Sequence, residues 1–196
     1  LLEPQRLQQI QYSEDFSNSA WSKLGTSVVG NSVISPNGTL NATKYQGDGT
    51  NSVKFLYDDV GSVVSGDAYT WSVFVKKGTS NYCQIFLGSA TFNAALYCNF
   101  DLENGTIGSN NGGAIPFIEK YDNEWYRIGI TANATVSSTA TAFICLASSS
   151  TMSRANTFTT SDYIYIYGSQ FEEGSFPTSY IPNYGTSAGI TRSAET

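Results

Sequence analysis

Three tyrosines on one predicted strand are the side chains with the clearest chemical potential. Apolar and phenolic residues alternate with period two in the stretch 163–171, as they do in a β-strand. The isoleucines then point to one face, and the other face carries Tyr163, Tyr165 and Tyr167. A row of phenol rings is flat, with hydroxyl groups at its edge, and it suits the apolar C–H faces and hydroxyl edges of sugars. The alternative is that these rings cover a loop or a second layer of core.

A sugar site on a sheet also needs amide, carboxylate or guanidinium groups beside the rings, because they pair with the sugar hydroxyls. The hypothesis places the site on one sheet face, with the three tyrosines as its platform. Five other side chains are candidate neighbours: Trp71, Tyr82, Gln84, Tyr97 and Arg127. A guanidinium group can bind a carboxylate sugar or stack on a ring. The competing interpretation is a structural network of arginine and tyrosine beneath a loop.

The composition predicts a single all-β domain to position these side chains. The chain has 196 residues, of which 40% are hydrophobic and 13% charged, and its 18 glycines can supply many turns. Short alternating segments are separated by turn residues, without a helical period or an internal repeat. This spacing predicts a β-sandwich jelly roll of two antiparallel sheets.

The charge balance argues against nucleic acid as a partner. The chain has 10 Lys and Arg against 16 Asp and Glu, with a net charge of −6 and no basic stripe. No apolar run approaches the roughly 20 residues that span a bilayer, so membrane insertion is not expected.

The absence of histidine makes catalysis an unfavoured interpretation. It removes the usual general base at neutral pH and the Ser-His-Asp arrangement. A glycosidase needs two carboxylates that face one cleft. The adjacent pairs Asp58-Asp59 and Glu172-Glu173 would point to opposite faces of a strand. We therefore expect a protein that is not an enzyme.

The cysteines leave two interpretations open. Cys83, Cys98 and Cys145 are odd in number and lack CxxC spacing. Residues 82–87 and 94–101 are predicted to form a hairpin in which Cys83 faces Cys98, and a disulfide there requires suitable geometry. The alternative is that all three are small buried hydrophobic side chains.

Several sequence blocks together resemble a domain that is common in bacteriophage tail and virion structural proteins. The blocks are YSEDFSNSAW (12–21), YTWSVFVK (69–76), FDL (100–102) with GT (105–106), EWYR (124–127), IYIYGSQFEEG (164–174) and TSYIP (178–182) with TR (191–192). They span nearly the whole chain in the expected order. Two departures are visible: Arg6 is followed by Leu-Gln-Gln-Ile instead of Thr-Asn-Leu, and Tyr167 stands where the family usually has Trp.

The resemblance implies a jelly-roll relative of carbohydrate-binding modules. Its members often flank fibres, receptor-binding regions or depolymerases, so the implied setting is a virion tail or surface, outside the cell. The implied partners are a host-surface or environmental glycan and other virion subunits. The rival expectation is a purely structural packing or decoration module without a sugar site. Residues 12–182 are predicted as the domain, 1–11 as a lead-in segment and 183–196 as a tail or linker.

The resemblance also suggests a structural calcium ion. In jelly-roll binding modules the first and last strands lie close together, and carboxylates there often hold calcium. The candidate ligands in this sequence are Glu14, Asp15 and Glu172. The competing interpretation is that these carboxylates are solvated strand ends, because no contiguous calcium loop is present.

Overall fold

The computed structural model describes residues 2–93, 96–151 and 155–196. Within these ranges the chain forms β-strands and no helix. No helix that could cross a membrane occurs in these ranges. The strands are β1 (Arg6–Gln8), β2 (Ser22–Leu24), β3 (Thr26–Ile34), β4 (Leu40–Gly47), β5 (Asn51–Val53), β6 (Phe55–Val63), β7 (Ala68–Lys77), β8 (Tyr82–Leu87), β9 (Tyr97–Asp101), β10 (Thr106–Asn111), β11 (Ile115–Lys120), β12 (Trp125–Asn133), β13 (Ser138–Ala147), β14 (Ala155–Thr157), β15 (Tyr163–Glu173) and β16 (Ile190–Arg192).

Two six-stranded sheets form the body of the fold. The tyrosine sheet has the strand order β11-β12-β7-β15-β4-β3, and the opposite sheet has the order β10-β9-β8-β13-β6-β2. All pairings within both sheets are antiparallel. The prediction of an all-β sandwich of jelly-roll type is confirmed.

The core lies between the two sheets and is built from alternate residues of their strands. Trp71 and Val73 of β7 pack there with Ile164 and Ile166 of β15, and all four side chains are buried. Side chains from β6, β8 and β13 of the opposite sheet belong to the same cluster. The isoleucines and tyrosines of β15 therefore lie on opposite faces, as the period-two pattern predicts, whereas Trp71 lies in the core and not on the face of the tyrosines.

A β-bulge in β15 reverses the faces of that strand halfway along. The register to β7 shifts between Tyr167 and Gln170, and Gly168 adopts a left-handed φ of 55°. Before the bulge odd-numbered residues point outward, whereas after it Gln170 and Glu172 point outward and Phe171 enters the core.

The two ends of the chain pack onto the sandwich. β1 pairs with β16, with Arg6 opposite Arg192. The side chains of Gln8 and Ile10 are fully buried. Residues predicted as a lead-in segment and a tail thus pair with each other on the body of the fold; Leu1 lies outside the described residues.

The predicted hairpin of β8 and β9 is present, with residues 94 and 95 outside the described part of the chain. Its register pairs Cys83 with Phe100 and Cys98 with Ile85, so the two cysteines are not opposite each other. All three cysteines are free and buried. The interpretation as buried apolar side chains is confirmed, and the cross-strand pairing of Cys83 with Cys98 is wrong because the register is offset by two residues.

Asp58 gives a testable pH dependence. Its side chain is 6% exposed, and burial raises its pKa from 3.8 to about 7, with a further rise from the charge of Asp59. The folded protein holds this proton more tightly than the unfolded chain. The associated stability is therefore complete below the unfolded pKa and is lost as the pH rises through 7.

We expect Asp58→Asn to raise the free energy of unfolding by about 2 kcal/mol near pH 8 and to change it little near pH 4. Thermal unfolding across this range measures the effect. Asp59→Asn is the comparison, because Asp59 is exposed and accepts a hydrogen bond from Thr141 at 2.8 Å; it removes only the smaller, charge-based part of the rise in the Asp58 pKa, so its gain near pH 8 should be smaller. A loss of stability between pH 5 and 8 that is equal in wild type and Asp58→Asn would contradict the assignment.

Candidate functional site

The outer face of the tyrosine sheet carries two adjacent rows of large side chains. In one row Arg127, Phe74 and Tyr167 lie side by side on β12, β7 and β15. In the next row Trp125 and Tyr165 flank Lys76. Phe74, Trp125 and Tyr167 belong to a second hydrophobic cluster, separate from the core between the sheets.

A cleft of about 270 Å³ opens over the first row. Its lining residues are Pro36, Asn37, Phe74, Tyr121, Tyr167, Ser179 and Tyr180. The Phe74 ring forms the centre: the rings of Tyr121 and Tyr180 stand at 86° to it, with centroids 5.0 and 5.8 Å away. Phe74 and Tyr167 are almost completely buried, whereas Tyr121 and Tyr180 are partly exposed. The rings available to a ligand are therefore mainly Tyr121 and Tyr180.

The turn between β3 and β4 closes one side of this cleft. Trp125 Nε1 donates to the carbonyl oxygen of Ile34 at 3.1 Å, and Asn37 Nδ2 donates to the Tyr167 hydroxyl at 2.8 Å. The Asn37 side chain also accepts hydrogen bonds from the Thr39 backbone and hydroxyl, which fixes the turn internally. Because Trp125 shares a row with Tyr165, the turn covers the face on that side of the cleft.

The segment 178–181 closes the opposite side of the cleft, next to the second half of β15, where Gln170 and Glu172 lie. Arg127 Nη1 donates to the Thr178 carbonyl oxygen at 2.6 Å, while its Nη2 donates to Ser72 Oγ at 3.0 Å. The buried Glu172 carboxylate accepts hydrogen bonds from the Thr178 backbone N–H at 3.0 Å and the Thr178 hydroxyl at 2.6 Å. Gln170 Oε1 accepts from the Ile181 N–H at 2.7 Å. These buried polar groups hold Tyr180 in place over the sheet.

Glu14 connects the cleft to the N-terminal segment. Its Oε1 accepts hydrogen bonds from the hydroxyls of Tyr167 (2.9 Å), Tyr180 (3.3 Å) and Tyr184 (3.2 Å), and its Oε2 accepts one from Asn41 (3.1 Å). Burial, and secondarily the Glu14 carboxylate, raise the pKa of Tyr167 and of Tyr180 well above the ordinary value. Both hydroxyls therefore stay protonated and act as donors throughout the physiological pH range.

The three tyrosines of the predicted platform do not lie in one site. Tyr167 is 3% exposed and contributes to the cleft wall, whereas Tyr163 and Tyr165 are partly exposed outside the cleft. The latter two rings contact each other edge to face, with centroids 5.3 Å apart, and Lys44 Nζ lies 4.1 Å from the Tyr163 centroid. Arg127 is on the predicted face, but it is 4% exposed and bonded to Thr178 and Ser72, as the competing structural interpretation described.

Four of the predicted neighbours do not lie on this face, and their placement is corrected. Trp71 points into the core, where its Nε1 donates to Ser169 Oγ at 2.9 Å. Tyr82, Gln84 and Tyr97 belong to β8 and β9 of the opposite sheet. The period of a single strand could not show which sheet each strand would join, because that depends on long-range pairing.

The candidate calcium ligands are engaged separately. Glu14 binds the tyrosine hydroxyls, and Asp15 Oδ1 accepts hydrogen bonds from the Ser17 backbone and hydroxyl. Glu172 is fully buried and lies 3.4 Å from Arg6 Nε. The described residues contain no group of three or more His, Cys, Asp or Glu side chains placed to hold a metal ion. The three carboxylates are thus not brought together as the sequence interpretation required.

Six cleft residues were missed by the sequence analysis: Pro36, Asn37, Phe74, Tyr121, Ser179 and Tyr180. The alternation of β7 does place Phe74 opposite Trp71, and the TSYIP block contains Tyr180. No local signal, however, shows that a turn and a C-terminal segment fold back over the sheet.

Gly168 allows the rings to approach the sheet and provides a test of the cleft geometry. A Cβ atom here would lie 3.0 Å from Phe74 Cδ2 and 3.1 Å from Tyr180 Cζ, on a residue with positive φ. We expect Gly168→Ala to lower the free energy of unfolding by about 2 kcal/mol, because backbone strain and crowding add. Gly113→Ala is the control, since Gly113 also has positive φ but no atom within 4 Å of the added Cβ. Equal losses in denaturant titrations of both variants would show that crowding is unimportant.

No family model and no curated protein sequence matches the chain significantly. Among solved structures, it is similar to an endo-1,4-beta-D-xylanase of Clostridium thermocellum (CBM22-1 and GH10 modules with xylohexaose), at 16% identity and a TM-score of 0.48 over 92% of this chain and 30% of that one. It is also similar to tailspike protein 4 of bacteriophage CBA120, at 10% identity and 0.48 over 86% of this chain and 22% of that one.

A third similarity is to the CBM22-1 xylan-binding domain from Paenibacillus barcinonensis, at 10% identity and a TM-score of 0.44 over 90% of this chain and 97% of that one. Similarities of this strength carry no argument about function. This chain spans less than a third of the xylanase and tailspike chains. The strand pairings of the chain itself therefore establish its β-sandwich fold.

Proposed function

We propose that this protein is a non-catalytic glycan-binding module. The observation that carries the proposal is the cleft on the tyrosine sheet, where the partly exposed rings of Tyr121 and Tyr180 stand over Phe74. Such rings can bury the C–H face of a sugar. Two polar side chains line the same cleft: Asn37, whose Nδ2 has a second N–H besides the one that donates to Tyr167, and Ser179, whose hydroxyl donates to Glu3 and can accept from a sugar hydroxyl. A few polar groups beside apolar walls are typical of small-molecule sites.

The composition of the cleft supports binding without catalysis. None of the residues that line it is a carboxylate, whereas glycoside hydrolysis uses two. Two carboxylates that contact lining residues are already engaged: Glu14 accepts hydrogen bonds from the hydroxyls of Tyr167 and Tyr180, and Glu3 accepts them from the N–H and hydroxyl of Ser179. The adjacent acids also face apart: Asp58 and Glu172 are buried, while Asp59 and Glu173 are exposed. These features support a role in recognition.

The proposed setting is the tail or surface of a virion, where the module would recognise host-surface or environmental glycans. This part of the proposal is supported by the sequence blocks that resemble bacteriophage tail and virion domains. Several copies on one particle would convert weak single sites into strong attachment, because the effective concentration of the second site is high.

A glycan array probed with a multimerised form of the protein tests the proposal. We expect binding to a restricted set of glycans, and loss of that binding in Tyr121→Ala. If the correctly folded multimer binds no glycan, the proposal is overturned and the rival function, packing against other virion subunits, is favoured.

A further inference from the structure

We propose that the cleft recognises the terminal sugar residue of a glycan and not an internal stretch of a chain. This inference rests on the proposed function and names the part of the glycan that the site accepts. The argument starts from the shape of the cleft, whose volume of about 270 Å³ lies just below the usual range for small-molecule pockets of roughly 300–1,000 Å³.

The cleft is blocked in both directions along the strands. On the side of Tyr165 the β3–β4 turn crosses the outer face, anchored at Trp125 and Tyr167. On the other side the segment 178–181 is fixed by Arg127 and Glu172. A linear polysaccharide that followed the strands would collide with both barriers.

The cleft is also bounded across the strands. Tyr121 stands against Phe74 on the side of β11 and β12. On the side of β4 the cleft is lined by Tyr167, whose hydroxyl donates to Glu14 at 2.9 Å. The cleft is therefore open to solvent above Phe74 but flanked along the strands by the β3–β4 turn and the segment 178–181, a shape that fits the end of a glycan better than a chain that runs along the strands.

The barrier near Tyr165 separates two groups of aromatic rings. Tyr163 and Tyr165 would continue the aromatic surface beyond the cleft, but Trp125, which shares a row with Tyr165, is bonded to Ile34 at the start of the β3–β4 turn. The hydrogen bond from Asn37 to the Tyr167 hydroxyl and the one from the Trp125 indole to Ile34 hold the turn against the sheet. Asn37→Ala removes the first of these contacts.

The test compares ligands of increasing length. For a sugar identified on the array, titration calorimetry would measure the methyl glycoside, the disaccharide and the hexasaccharide. We expect affinities that agree within about threefold between disaccharide and hexasaccharide, because only the end residue and its neighbour reach the protein. Where the terminal residue differs from the one behind it, its removal by an exoglycosidase should abolish binding.

Two other outcomes overturn the inference in different ways. An affinity that rises at least about tenfold from disaccharide to hexasaccharide, with binding retained after trimming, would show recognition of internal residues while the glycan-binding function stands. Absence of binding to any glycan would overturn both.

A variant of the turn provides an independent measurement. In Asn37→Ala the β3–β4 turn loses its contact with Tyr167, so we expect the ratio of hexasaccharide to disaccharide affinity to increase. Asn110→Ala, at an exposed position on β10 of the opposite sheet, is the control and should leave the ratio unchanged. An unchanged ratio in Asn37→Ala, with the protein folded, would show that the turn does not limit ligand length.

Discussion

Replacement of Glu172 by alanine is expected to lower the free energy of unfolding by about 3–5 kcal/mol, because buried donors lose their common acceptor. The carboxylate is fully buried and accepts hydrogen bonds from Gln170 Nε2 (2.7 Å) and from the backbone and hydroxyl of Thr178, and it lies 3.4 Å from Arg6. The substitution also creates a cavity. Denaturant titration monitored by tryptophan fluorescence measures the loss.

Two variants separate the contributions of charge and position. Glu172→Gln keeps the shape and one acceptor oxygen, so we expect a smaller loss of about 1–2 kcal/mol. Glu173→Ala changes the exposed neighbour on the opposite face and should stay within about 0.5 kcal/mol of wild type. If Glu172→Ala were as stable as Glu173→Ala, the role of this carboxylate in fixing the segment 178–181 would be wrong.

Tyr121→Ala is expected to weaken glycan binding at least about tenfold, because it removes a partly exposed ring from the cleft. The ring contacts Phe74 edge to face, and it is not among the tyrosines bonded to Glu14, so its loss leaves the network of Tyr167 and Tyr180 in place. Calorimetry against a glycan identified on the array measures the effect, with thermal unfolding as a check of the fold.

The matched control for this variant is Tyr97→Ala. Tyr97 is also a partly exposed tyrosine, but it lies on β9 of the opposite sheet. We expect the Tyr97→Ala variant to bind the glycan with the same affinity as the wild-type protein. The reverse result, with binding lost in Tyr97→Ala and retained in Tyr121→Ala, would move the site to the opposite sheet and contradict the cleft assignment.

The elements of the fold were predictable because they depend on local patterns. Alternation along the first half of β15 separates its buried isoleucines from the tyrosines of the outer face, and the Asn104-Gly105 pair is typical of the turn that follows β9, where Gly105 has a φ of 65°. Because Trp71 and Phe74 are three residues apart on β7, they lie on opposite faces of the sheet, Trp71 in the core and Phe74 on the outer face.

The site was less predictable because it is assembled from segments distant in sequence. Alternation shows which residues of one strand share a face, but the sheet that the strand joins is set by long-range pairing. Tyr82 and Tyr97 therefore could not be separated from Tyr167 by sequence spacing. Tyr180 reaches the cleft only because Arg127 and Glu172 bind the chain beside it.

Because all three cysteines are buried, their reaction with a thiol reagent can report how often the folded protein opens. Burial raises the pKa of Cys98 to about 12 and that of Cys83 well above the ordinary value, so the reactive thiolate is scarce in the folded state. A thiol-specific reagent should modify the native protein only as fast as the sandwich transiently separates. The rate of modification would then measure the rate of this transient opening in the unlabelled wild-type protein.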